Sequence, residues 1–302
     1  MSFFATPAFL RLIAVAAIVL APGITSAQSG YTPPLWEVRS GENTVYLFGT
    51  IHVGKADFYP LPAAARSAFG KSDVVALEVD PTDQQAAVSA TMSAMYTPPD
   101  SIENHIDPAL LSSVNEVCAR YGIALEQVRQ MKPYLLMFML TTLEYQRLGY
   151  SAGEGLESHF VQRAHEQGKQ VVALESMSGQ MQILDGLSPE LQSAMLQITV
   201  DEITNGEVVD LVAEMIHSWR TGNMNNLGAV LLAEERRLPD AMAREFHNRF
   251  LTERNAVMAQ KIERMLLGGE KAFIAVGAMH MVGEDGLPAM LSARGFEVRQ
   301  LR

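Results

Sequence analysis

Two segments near opposite ends of this chain spell the same local structure, and any fold must accommodate both. Residues 45–54 read VYLFGTIHVG and residues 273–283 read FIAVGAMHMVG. Each is an apolar run, then a glycine (Gly49 or Gly277), two further residues and a histidine (His52 or His280). The match continues downstream. Leu61-Pro62, a helical stretch, Ser67-Ala68 and Gly70 follow the first histidine; Leu287-Pro288, a helical stretch, Ser292-Ala293 and Gly295 follow the second. Proline at the start and glycine at the end is the usual asymmetry of a helix. The pattern predicts a duplicated βαβ unit. In each copy a glycine lets the backbone turn off the strand end and come close to a ligand.

A second repetition supplies carboxylates. GKSDVVALE at 70–78 and GKQVVALE at 168–175 end in Glu78 and Glu175. A parallel strand fed by a helix delivers its last residue to the carboxyl edge of the sheet, where open α/β sheets place their ligands. His52, Glu78, Glu175 and His280 are therefore expected on one rim.

Strands are predicted at 35–39, 44–48, 74–79, 171–174, 271–276 and 296–301. Gly41-Glu42-Asn43 turns the first two into an antiparallel hairpin, and helical patterns separate the rest, implying parallel crossovers. Helical spacing covers 107–121, 132–148, 156–166, 189–221 and 239–267. The fold class is α/β: a mixed, partly parallel sheet built from duplicated βαβ units, with extensive helical elaboration. Residues 28–302 read as a single domain, with a helical insertion around 84–147 and long helices around 189–267. The apolar stretch YLLMFMLTTL at 134–143 is too short to span a bilayer and reads as a buried helix or the wall of a hydrophobic groove. The lone cysteine, Cys118, falls in a helical pattern and reads as a small buried residue.

The first 27 residues read as a secretory leader: Arg11, a short apolar run and a small-residue cleavage site before Gln28. No stable membrane span is expected once it is removed. Export with a single cysteine, and hence no intrachain disulfide, points to the bacterial periplasm or the exterior. A net charge of −11 without a basic run argues against a nucleic-acid partner.

Two histidines and one or two carboxylates are a familiar ligand set for Zn, Mn, Co or Fe. Such a metal polarises a carbonyl and acidifies water, the logic of metal-assisted hydrolysis. A second carboxylate then serves as general base or orients a histidine. Arg254, in the helical run TERN, suits a solvated helix face or a clamp on a substrate carboxylate or oxyanion. Glu154 and Glu157 sit at a helix start, where they suit the helix dipole. His105, His159, His165, His217 and His247 show no metal-site spacing.

With LFGTIHVG, ALEVD, GLESHF, GKQVVALES, ERN and VGAMHMVGEDGLPAMLSARGFEV in these positions, the chain resembles the TraB/PrgY/GumN family, which includes the Tiki proteins, over essentially all of residues 28–302. The resemblance implies a metal-dependent hydrolase of peptidase type with Mn or Co as metal, acting on a peptide or protein substrate. It carries the family's paired Gly-x-x-His motifs, acid and arginine onto His52, His280, Glu78 and Arg254. Glu175 or Glu157 is then the base or a supporting residue, and Gly49 and Gly277 lie near substrate. Two other readings follow from the same resemblance: a non-catalytic peptide- or haem-binding envelope protein, and an accessory factor in exopolysaccharide production.

Overall fold

The computed structural model describes residues 31–301; the expected leader lies outside the described residues. In chain order the strands are β1 (Leu35–Ser40), β2 (Asn43–Thr50), β3 (Val74–Leu77), β4 (Gln170–Ala173), β5 (Ala272–Gly277) and β6 (Glu297–Gln300). All six coincide with the expected strands to within two residues at either end. They form one sheet in the order β4-β3-β5-β2-β1-β6, in which β1 pairs antiparallel with both its neighbours and every other pair is parallel.

Helix α1 (Ala63–Gly70) links β2 to β3, and α13 (Leu287–Ala293) links β5 to β6. These are the two copies of the βαβ unit, and they travel in opposite directions along the sheet: the first passes over β5, the second over β2 and β1. Right-handed crossovers in opposite directions must put their helices on opposite faces, and they do. Ala65, Ala68 and Phe69 of α1 pack with Tyr46, Phe48 and Phe273 on one face. Leu287 and Leu291 of α13 pack with Leu47, Ile274 and Val276 on the other. Alternate residues of β2 and β5 thus serve two cores, the two-residue period of a strand covered on both sides. Because β2 and β5 are neighbours whose connections diverge, the cleft at their carboxyl ends is a topological switch point. His52 and His280 follow those two ends.

Between β3 and β4 run α2 (Gln84–Ser93), α3 (Pro108–Arg120), α4 (Leu125–Val128), α5 (Pro133–Arg147) and α6 (Leu156–Glu166). Between β4 and β5 run α7 (Met177–Asp185), α8 (Pro189–Asn205), α9 (Glu207–Thr221), α10 (Met224–Glu235), α11 (Asp240–His247) and α12 (Glu253–Leu267). Asp107, Ser176 and Ser188 cap α3, α7 and α8 by accepting hydrogen bonds from first-turn amides. The helix expected over 189–221 is two helices, because Gly206 adopts the left-handed conformation at φ +78° and stops the first. The run expected over 239–267 stays helical but passes through a wide π-turn at Asn248–Thr252. In α5, Leu136 and Leu140 are fully buried, whereas Phe138 is 39% exposed, so this helix is core on one side and open on the other. Cys118 is buried. Among the described residues no helix is long and apolar enough to cross a membrane.

Candidate active site

The register of β2 and β5 sets Thr50 opposite Gly277. Two residues beyond Thr50, the chain presents His52; beyond Gly277, a 3-10 turn (Ala278–Met281) presents His280. Glu78 follows β3 directly and reaches under this pair. Its Oε1 accepts the Gly277 N–H at 2.7 Å and lies 3.7 Å from His280 Nε2. One point shows how tightly the groups converge: a methyl added to Gly277 would stand 3.2 Å from Glu78 Oε1, 3.6 Å from His52 Nε2 and 3.7 Å from His280 Cδ2. The missing side chain of Gly277 is the hollow between two imidazoles and a carboxylate.

Both imidazoles are held by Nδ1. Asn255 Oδ1 lies 2.6 Å from His280 Nδ1. The Asn255 amide nitrogen donates to the carbonyl of Asp285 at 2.7 Å, so its oxygen must be the group facing the ring. His280 is therefore protonated at Nδ1 when neutral, with the Nε2 lone pair free. Burial pulls its pKa below the ordinary value, against the opposing attraction of Glu78. His52 Nδ1 lies 2.8 Å from Glu157 Oε1, which also accepts the Thr50 hydroxyl. The Glu157 carboxylate raises the His52 pKa, an effect damped by cavity water because the ring is 71% exposed.

Arg254 ties the acids together. Its Nη2 donates to Glu78 Oε2 and Glu175 Oε2, each at 2.6 Å, its Nε to Glu175 at 3.0 Å, and its Nη1 back to the Phe250 carbonyl at 3.3 Å. Gln180 donates to the same two carboxylates, at 3.2 Å to Glu78 and 2.9 Å to Glu175. Burial pushes the Glu78 pKa up, but His280 and His52, protonated at the acid pH where Glu78 titrates, together with Arg254 and the Gly277 amide outweigh it and bring it to about 2. Glu78 is ionised at every ordinary pH. The π-turn lies immediately before Glu253 and Arg254, in keeping with the tendency of such turns to occur at functional sites.

Of the residues singled out in the sequence, His52, Glu78, His280 and Arg254 line one cavity of about 460 Å³ with Glu157. Glu175 joins them through Arg254 and Gln180 and itself borders a neighbouring cavity beside Asp80 and Asp83. Gly277 adjoins the histidines, but Gly49 does not line the cavity. A side chain at Gly49 would strike Pro34 and the backbone of Ala278, and its carbonyl accepts the indole N–H of the buried Trp219 at 2.7 Å. Its smallness serves packing of the second motif against the first. Arg254 directs four of its bonds to protein carboxylates, so its chief work in this structure is to hold Glu78 and Glu175. Glu157 does more than suit a helix dipole, since it orients His52.

Several contributors were not singled out. Asn255 was visible as the last letter of ERN, but nothing in the sequence told of its partner. Gln180 and Thr50 carried no signal. Gly54 and Gly155 lock the His52 loop to the start of α6: Gly54 and Ser151 exchange both backbone hydrogen bonds at 2.9 Å, and a methyl on Gly155 would fall 2.3 Å from the His52 carbonyl. Among the described residues no group of three His, Cys, Asp or Glu side chains already stands in ligating arrangement for a metal. The donor chemistry nonetheless suits one: His52 Nε2, the His280 ring and the ionised Glu78 Oε1 surround a common hollow.

The sequence pattern of the TraB/PrgY/gumN family matches residues 34–300. The chain belongs to this family. Two similar proteins are called uncharacterized protein YbaP, from Escherichia coli K12 and Shigella flexneri; each is 26% identical over 263 residues, covering 86% of this chain and 93% of its own length. A more distant family relative is the metalloprotease TIKI1 of Xenopus tropicalis, 21% identical over 341 aligned positions, covering 97% of this chain and 67% of TIKI1. No solved structure matches.

Proposed function

We propose that this protein is a metal-dependent hydrolase that cleaves peptide bonds in the bacterial envelope. The observation that carries the reading is the convergence of His52 Nε2, Glu78 Oε1 and the His280 ring around the hollow at Gly277. The relationship to a metalloprotease supports it, and the leader-like first 27 residues support the envelope as its place of work.

His52, His280 and Glu78 would hold the cation. A divalent ion such as Mn, Co or Zn supplies Lewis acidity there, polarising a carbonyl and acidifying water. The protein's own groups divide the remaining tasks. Asn255 and Glu157 keep both imidazoles protonated at Nδ1, so that each offers Nε2. Arg254 and Gln180 hold Glu78 in place and keep it ionised. Glu157 makes both its side-chain hydrogen bonds through Oε1; its Oε2 is left to accept a proton from the attacking water, with the carboxylate lining the cavity.

The test is elemental analysis of protein purified without chelator, beside His52→Ala and His280→Ala. Roughly one equivalent of a divalent metal is expected in the parent and little in either variant, with both variants folded by circular dichroism. A folded parent that holds no metal at neutral pH after incubation with Mn, Co and Zn in turn would refute the reading.

A further inference from the structure

The cavity that holds the histidines has two unlike halves. One carries His52, Glu78, Glu157, Arg254 and His280; the other is built by Phe138, Met181, Ile183, Leu184 and Phe250, without a charged group. The two halves share elements. Gln180 bonds both acids, and Met181 and Leu184 lie one and four residues further along α7, so Leu184 shares its helix face. Phe250 offers its carbonyl to Arg254 and stacks its ring on Phe246 at 4.7 Å. Phe138 points away from the core side of α5 and remains 39% exposed. An apolar wall from three separate segments thus begins where the charged cluster ends.

We infer that this wall is a specificity pocket that takes a large apolar side chain, aromatic or aliphatic, from the peptide residue beside the bond to be cut; the inference rests on the hydrolase reading. The wall's five members are the large apolar side chains of the cavity's lining, and they stand together on α5, α7 and the turn before Arg254. A charged side chain laid against the wall would lose its water and find no partner. Phe138 is the member to test, because an exposed side chain is removed with little effect on folding.

The experiment has two arms, each run on the parent, Phe138→Ala and Met181→Ala. In the first, mixtures of acetylated decapeptides randomised in sequence are incubated with protein and Mn, Co or Zn, and cleavage sites are read by mass spectrometry. Cuts beside Phe, Leu, Ile or Met are expected to dominate, and each variant should reduce the preference over Ala by about 10-fold, the scale on which small changes in a hydrophobic pocket discriminate. In the second, binding of paired peptides carrying Phe or Ala at one position is measured by saturation-transfer NMR on metal-free protein, where no turnover is needed. Binding preference for Phe that both variants weaken, with no cleavage under any metal, would uphold the pocket while removing the hydrolase. Cleavage without apolar preference, a preference both variants retain, or no binding preference together with no cleavage would overturn the pocket.

Discussion

Gly277→Ala tests the site with the least disturbance to the fold. The backbone there has φ −50° and ψ 136°, a region open to every L-residue. The added methyl would lie 3.6 Å from His52 Nε2 and 3.7 Å from His280 Cδ2, ordinary contacts, and 3.2 Å from Glu78 Oε1, where the carboxylate must give by a few tenths of an ångström. Loss of glycine's freedom in the unfolded chain stabilises by about 0.4–1 kcal/mol. The tight contact costs about 1 kcal/mol, the low end for an inserted methyl. Net stability should therefore change by no more than about 1 kcal/mol, and the melting temperature by about 2–4 °C. The effect on metal is of another order. His52, His280 and Glu78 would hold such a cation beside this hollow, at the roughly 2.0–2.2 Å usual for nitrogen and oxygen ligands, so the methyl would crowd it. Affinity should fall at least ~100-fold, equivalent to about 3 kcal/mol. Competition against a fluorescent chelator gives the dissociation constant, with a melting curve on the same sample. Parent-like affinity in a variant that melts normally would refute the placement of the ion at Gly277.

Three further outcomes are expected. Asn255→Leu should release the His280 tautomer and weaken metal binding by about 10–100-fold, the usual range for loss of a ligand's hydrogen-bond partner, while Asn255→Asp should restore most of the affinity; side-chain nitrogen NMR of metal-free protein, still showing His280 protonated only at Nδ1 in the leucine variant, would count against this. Gly155→Ala would press a methyl to within 2.3 Å of the His52 carbonyl, so thermal unfolding should show a loss of about 1–3 kcal/mol accompanied by weaker metal binding; an unchanged melting curve would show that the two loops are not locked. Glu202 has its pKa raised from 4.5 to about 8, first by burial and then by Glu234. Its folded pKa exceeds its unfolded one, so the stability it contributes is complete below about pH 4.5 and lost as pH rises to about 8. Melting temperatures across this window should fall in the parent and flatten in Glu202→Gln, and parallel curves would refute the assignment.

The sheet was legible because its strands are apolar runs bounded by glycine and proline, and because a duplicated unit announces itself twice. Helices α2, α4 and α10 fall inside regions expected to be helical but were not placed individually, and α7 was not expected. QQAAVSATMS in α2 has only one buried residue, Ala90, and hence no clear apolar stripe. Helix α7 carries Gly179 in its first turn, which propensity counts against a helix, yet the Ser176 hydroxyl caps that glycine's amide. The helical spacing of 189–221 continues across Asn205-Gly206, and only the left-handed backbone of Gly206 divides it in two.

At the site the division is sharper. Residues that carry charge or a repeated motif could be named from the sequence; neutral residues that hold them could not. Asn255 is 25 positions from His280, and Gln180 is 102 from Glu78, and an amide gives no sign of which distant atom it will meet. The two motif glycines make the same point from the other side. Gly49 and Gly277 are equivalent in the sequence, but one faces proline and backbone and the other faces two imidazoles and a carboxylate. The difference comes from strand order. Because β5 lies between β3 and β2, the end of β5 sits beside Glu78, while the end of β2 packs under the second motif's own turn. The repeated motif carries two histidines, and the asymmetric placement of its copies in the sheet leaves one glycine facing two imidazoles and a carboxylate and makes the other a joint in the core.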